Sequence, residues 1–181
     1  MEWLLKLYFL NTMNYQEKLS TIFVNKTNMT SEGFETISVK NQGATINEVE
    51  SLNRDYLSKL PNDYIEFLKN CNGCTLYDVD GQYGFIFFGT NQIEQETEGF
   101  KEVYENEWDE SIVLFCSVMG SGDFLGFRLL SDSYEIIDCY HEDNPKDWAV
   151  ISTSFSDFMN KLIDSKGSSF WLEGNNNSLD D

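Results

Sequence analysis

Basic residues are scarce in this sequence. Twelve lysines and arginines face 31 aspartates and glutamates, for a formal net charge of −19. A chain so charged repels nucleic-acid phosphates and anionic membrane surfaces, so neither is expected as a partner. Residues 1–50 hold four lysines and six acids, so nearly all of the excess falls on the remainder. Proline occurs only at Pro61 and Pro145, which excludes a proline-rich linker. Histidine occurs once, at His141, so a Ser-His-Asp or Cys-His arrangement would have to use it. No Gly-x-Ser-x-Gly elbow accompanies it. Gly120-Ser121-Gly122 is too short for one and lacks the spacing and lysine of a phosphate loop. Without an assembled acid, base and nucleophile, catalysis is not expected. Long hydrophobic runs are also missing. Met1 to Leu10 is apolar but too short to span a bilayer. Glu2 stands where a secretory signal is positive, Lys6 interrupts the run, and no small-residue cleavage site follows.

The four cysteines are Cys71, Cys74, Cys116 and Cys139, and a reducing cytoplasm is the expected setting. Cys71-Asn72-Gly73-Cys74 has the C-x-x-C spacing of redox proteins. There the motif opens a helix, whose N-terminus favours the thiolate. Here it closes one, and a packing role is the plainer reading. Cys71, Cys74, Cys139 and His141 would make four ligands for zinc, but Cys139-x-His141 is not a common ligand spacing, and no metal or other cofactor is expected. The carboxylate runs at 94–110 and 142–147 lack the alternation of a calcium loop. Asp78-x-Asp80-Gly81 is only a fragment of it.

What the chain does have is aromatic bulk, 15% of it, and clear helix and strand patterning. The best-defined element spans residues 60–73. Pro61 suits a first helical turn, and Asn62 and Asp63 favour the positive end of the helix dipole. Tyr64, Phe67, Leu68 and Cys71 share one face, Lys69 stands in the last turn, and Gly73 can adopt the left-handed stop. Leu60 is a poor N-cap, so nothing obvious satisfies the first amides.

Around it, the pattern predicts helices over 15–24, 46–57 (with a Thr45–Glu48 capping box), 91–107 and 154–163. Strands are expected at 34–39, 75–77, 83–88, 112–116, 123–129 and 134–140, with hairpin turns at Asp80-Gly81 and Ser131-Asp132-Ser133. Residues 25–33 read as a loop and 148–152 as a connection. Together these predict an α+β class, a single domain over 14–165 with a mixed or mainly antiparallel sheet of about five to six strands and flanking helices. Residues 1–13 read as an extension. Residues 166–181 read as a flexible acidic tail, from which Phe170, Trp171 and Leu172 can fold back.

The motif Leu60-Pro61-x-Asp63-Tyr64, with Phe67-Leu68 and then Asn72-Gly73, resembles the SUKH superfamily. So do Gly122-Asp123 before a hairpin and Ala149-x-x-Ser152-x-Ser154-Phe155-x-x-Phe158. The likeness covers about Thr45 to Leu162. That superfamily includes a fungal cell-wall-assembly regulator domain and bacterial immunity proteins that neutralise toxins passed between competing cells. The resemblance implies a non-enzymatic binding protein with a cognate, basic toxin as partner, such as a nuclease, acting as a monomer or weak dimer. The carboxylates Glu94, Glu96, Glu98, Glu102, Asp109, Glu110, Glu142 and Asp143 are the candidate contacts, with Tyr140 and Trp148 as aromatic anchors, although a core place suits Trp148 better. An intracellular regulatory or scaffolding module is the alternative, and a zinc or thiol protein a further one.

Overall fold

A computed structural model describes residues 15–52 and 54–172. The expected extension over 1–13 and the tail beyond residue 172 lie outside the described residues.

The eight strands among the described residues form one antiparallel sheet in which each strand pairs with the next along the chain: β1 (Thr27–Met29), β2 (Glu35–Lys40), β3 (Cys74–Val79), β4 (Tyr83–Phe87), β5 (Ile112–Val118), β6 (Phe124–Leu129), β7 (Tyr134–Cys139) and β8 (Ala149–Ser152). The α+β class holds, with more strands than the five or six expected. The two that the pattern missed are the edges. β1 is three residues inside a polar run and β8 is four residues after a tryptophan, too short to show alternation. Short edge strands are also what keeps a sheet from pairing with other chains.

The helices are α1 (15–25), α2 (Ile46–Glu50), α3 (Arg54–Leu57), α4 (Asn62–Asn70), α5 (Ile93–Tyr104) and α6 (Phe155–Asp164). The Thr45–Glu48 capping box is present in both directions. The single helix expected over 46–57 is instead broken, because the Ser51 hydroxyl donates to the Glu48 carbonyl (2.7 Å) and competes with the next helical turn. α5 ends three residues early, and Glu105 to Glu107 continue as one turn of 3₁₀ helix.

Helices cover both faces of the sheet. Phe127 and Phe124, three residues apart on β6, must point to opposite sides. Phe127 meets Tyr64 of α4 and Phe155 of α6 (5.2 and 6.1 Å between rings). Phe124 meets Phe100 of α5 (4.6 Å). Residues 165–172 follow α6 across its face of the sheet. The Tyr83 hydroxyl donates to the Gly167 carbonyl (2.6 Å), Trp171 Nε1 donates to Asp138 Oδ2 (2.8 Å), and Phe170 and Trp171 pack on Phe158.

β2 is built the opposite way round from a core strand. Thr36 and Ser38 point inward while Ile37 and Val39 are half exposed. The cause lies in β3, which bulges opposite Ser38 with Tyr77 at φ +58°. The Ser38 hydroxyl accepts the Tyr77 N–H there (3.0 Å).

Tyr64 is fully buried, in ring contact with Phe67, Phe115, Phe127 and Phe155, and its hydroxyl donates to the Phe88 carbonyl (2.8 Å). The unsatisfied start of α4 is met from an unexpected side. Pro61 occupies the N-cap with no side-chain bond, and Asp63 Oδ1 accepts the Tyr64 N–H (3.0 Å). Asp63 Oδ2 accepts the Tyr134 hydroxyl (2.5 Å), and that hydroxyl accepts the Phe155 N–H (2.7 Å). A single buried carboxylate thus joins the first turn of α4, the β6–β7 hairpin and the first turn of α6. Burial raises the Asp63 carboxyl above its ordinary value, against the lowering effect of these bonds. A carboxyl raised by folding stabilises most when protonated. That contribution is present below about pH 4 and is lost as pH rises through the folded value.

Removing either partner strands buried polar groups. Asp63→Ala and Tyr134→Phe should each lower stability by about 1–3 kcal/mol in urea unfolding. Asp63→Asn, which keeps an acceptor for the Tyr64 amide, should cost less than Asp63→Ala. The Asp63→Ala/Tyr134→Phe double variant should lose less than the sum of the two, and strict additivity would show that the groups do not act together.

Candidate functional site: an acidic lip

The two acidic stretches flagged in the sequence meet in space. The Tyr104 hydroxyl at the end of α5 donates to the His141 carbonyl (3.1 Å), and Asn144 Nδ2 donates to Glu107 Oε2 (2.6 Å). Aromatic packing locks the join. Trp148, only 3% exposed, stacks on Phe100 (5.8 Å) and abuts Tyr104 and Trp108 edge-on, and its indole N–H donates to the Tyr140 carbonyl (3.0 Å). Trp148 is therefore the core of this region and is not available as an exposed anchor. Tyr140, 39% exposed, is on the surface.

Arg128 completes the frame from below. Its guanidinium donates to the Pro145 carbonyl (2.9 Å) and lies 3.6 Å from Glu135 and 3.9 Å from Asp109. Asp109 in turn accepts the Ser111 N–H. On the opposite flank, Asp123 Oδ1 accepts the His141 N–H (3.0 Å) and faces His141 Nδ1 (2.7 Å), tying the β5–β6 turn to the loop after β7. Asp123, read from the sequence as part of a structural motif, is thus also part of the acidic surface.

The expected contacts do not all share one face. Glu105, Glu107, Asp109, Glu142, Asp143 and Asp147 are exposed along the lip formed by the 105–110 turn and the 140–147 loop. Tyr140 donates its hydroxyl to Glu142 (2.7 Å). Glu102 is exposed on the outer side of α5, and Glu96 is half-buried in its first turn. Glu98 turns instead toward α3, and Glu94 is exposed one turn before it. The Tyr56 hydroxyl donates to Glu98, and burial together with the charges of Glu98, Glu94 and Glu110 raises the Tyr56 phenol. Glu110 pairs with Lys101 (2.6 Å), whose ammonium is raised by that contact. Glu105, Glu107 and Asp147 escaped the sequence reading as contacts. For Glu107 the signal is Asn144, a polar residue within an acidic loop whose amide needs an acceptor; nothing local marks Glu105 or Asp147.

Glu102, Glu105, Glu142 and Asp143 make no ion pair among the described residues, and Lys146 adds one exposed positive charge. Burial chiefly, with the charges of Asp123 and Asp143, raises Asp138 behind the lip. Such a surface can hold a cationic partner. No three His, Cys, Asp or Glu side chains come together as a metal would require among the described residues. Cys71 and Cys74 sit at the α4–β3 junction, four strands away from Cys139 and His141 at the end of β7, so the zinc set is not brought together. No helix among the described residues is long and apolar enough to cross a membrane.

His141 reports the local field directly, because it gives the only imidazole signal in the protein. Its hydrogen bond to Asp123 raises its pKa, so the protonated form is favoured by folding. That small contribution is present below about pH 6.5 and is lost as pH rises through the raised value. An NMR titration should place His141 above about 6.5, and Asp123→Asn should bring it back down. A His141 midpoint unmoved by Asp123→Asn would contradict the pairing.

No curated protein matches the chain. A family-level match does exist, spanning residues 43–161 from just before the α2 cap into α6. It contains Asp63, Tyr64, Tyr134, Phe155 and the whole acidic lip. By that match, the chain belongs to the SMI1 / KNR4 family (SUKH-1).

Proposed function

We propose that this protein is an immunity protein that binds and neutralises a cognate bacterial toxin with a basic surface, such as the substrate groove of a nuclease. Two findings support the reading. The family is one of toxin-immunity and related regulatory modules that are generally not enzymes. The carboxylates of two distant stretches converge on one rigid lip.

The mechanism is occlusion. A partner's cations meet a surface where Lys101 and Arg128 are already engaged with carboxylates, leaving Lys146 as the exposed cation of the lip. Charge complementarity speeds encounter and fixes orientation, while apolar contacts around it give lasting affinity. Tyr140 and the exposed Val103 of α5 are the side chains of that kind in the acidic region. Because Phe100, Tyr104, Trp108 and Trp148 hold the lip from beneath, little ordering is needed on binding.

Co-expression with a bacterial toxin whose gene adjoins this one should rescue growth, and equal killing with and without this protein would refute the assignment. Reversing Glu105, Glu107, Glu142 and Asp143 to lysine should slow association by roughly tenfold or more at low salt and flatten its salt dependence. Unchanged kinetics would remove the electrostatic part of the mechanism.

A further inference from the structure

The C-x-x-C pair takes no part in the acidic lip. Cys71 closes α4 in an extended conformation, and Cys74 opens β3. Between them the chain reverses within two residues, with Gly73 at φ +89°. A Cβ at Gly73 would stand 2.9 Å from the Gly89 amide nitrogen, so the turn is held tightly against the 87–89 segment. The two cysteines therefore flank a single tight reversal of the chain, one at each end of it.

Their surroundings differ. Cys71 lines a cavity of ≈ 200 Å³ between α1 and α4, together with Leu19, Phe23, Lys40 and Phe67. Cys74 lies in the core beside it. The Cys74 S–H and, less strongly, the Lys40 ammonium lower the Cys71 thiol, whereas burial pushes Cys74 well up. The Cys71 thiol contacts the Gly73 carbonyl (3.4 Å), but that carbonyl also accepts the Asn41 N–H (3.0 Å), so the thiol proton can leave without stranding it. Cys116 and Cys139 are fully buried, with thiols raised by burial.

We propose that Cys71 and Cys74 form an oxidisable dithiol, with Cys71 as the attacking sulfur, Cys74 as the resolving sulfur and a small peroxide as the oxidant that enters the α1–α4 cavity. The Cys71 thiolate attacks one peroxide oxygen. The O–O bond breaks, an S–O bond forms, and the departing hydroxide takes up a proton as water, leaving a Cys71 sulfenic acid. Cys74 then attacks Cys71 Sγ. The S–S bond forms, the S–O bond breaks, and the hydroxyl leaves as a second water with the Cys74 proton. Two thiols are oxidised by two electrons and one peroxide is reduced. The helix C-terminus offers no help from its dipole, so the neighbouring thiol and Lys40 supply the activation.

The test is hydrogen peroxide treatment of the whole native protein, alkylation of the remaining thiols and peptide mass spectrometry. The expected product is a Cys71–Cys74 disulfide, reversed by dithiothreitol and formed at least about tenfold faster than any oxidation of Cys116 or Cys139. In Cys74→Ser a Cys71 sulfenic acid should be trapped by dimedone, and in Cys71→Ser the Cys74 thiol should stay reduced. The unmutated protein decides the matter alone if a variant fails to fold. Absence of the disulfide, or oxidation of all four cysteines at one rate, would overturn the proposal.

Discussion

The Asp63 carboxylate and the Tyr64 ring beside it are the constraint on which the rest of the structure depends. One side chain joins three element starts through Tyr134 and the Phe155 amide. The other fills the aromatic core between the sheet and two helices, with its hydroxyl on the Phe88 carbonyl. A buried polar group satisfied on both sides specifies position, and a ring packed on four others specifies depth. Together they fix how α4 and α6 sit on β4 to β7, and the sheet then carries α5 and the acidic lip on its far face.

Much of this was legible in the sequence. The α4 stretch, the six inner strands and the closing helix announce themselves because their apolar residues recur at the period of the element they form. The edges β1 and β8 did not, being too short for a period. β2 was legible as a strand but not in its facing: it carries its apolar residues outward, with the Ser38 hydroxyl on the inner side at the Tyr77 bulge. The break after α2 comes from one serine hydroxyl, which a helical pattern cannot register. The role of Asp63 was hidden for a related reason. As sequence it is a negative charge near a helix start, and its partner Tyr134 stands 71 residues away.

The candidate surface was legible as composition and illegible as arrangement. Local charge density marks 94–110 and 142–147, yet only the fold separates Glu98, which turns toward Tyr56, from Glu107, which anchors the second loop through Asn144. Trp148 shows the same limit. An aromatic next to an acidic loop can be an anchor or a pillar, and its stacking on Phe100 makes it the pillar. Placing carboxylates on such a frame concentrates their field on one side of the molecule, where at about 8 Å screening length in physiological salt near neighbours still reinforce one another.

That the lip is the docking face is the central claim, and hydrogen–deuterium exchange on the complex with the proposed toxin partner tests it most directly. The account predicts new protection over residues 102–110 and 140–147, with β1 and β2 unchanged. Protection confined to the exposed β1–β2 face around Ile37 and Val39, with the lip still exchanging freely, would contradict it.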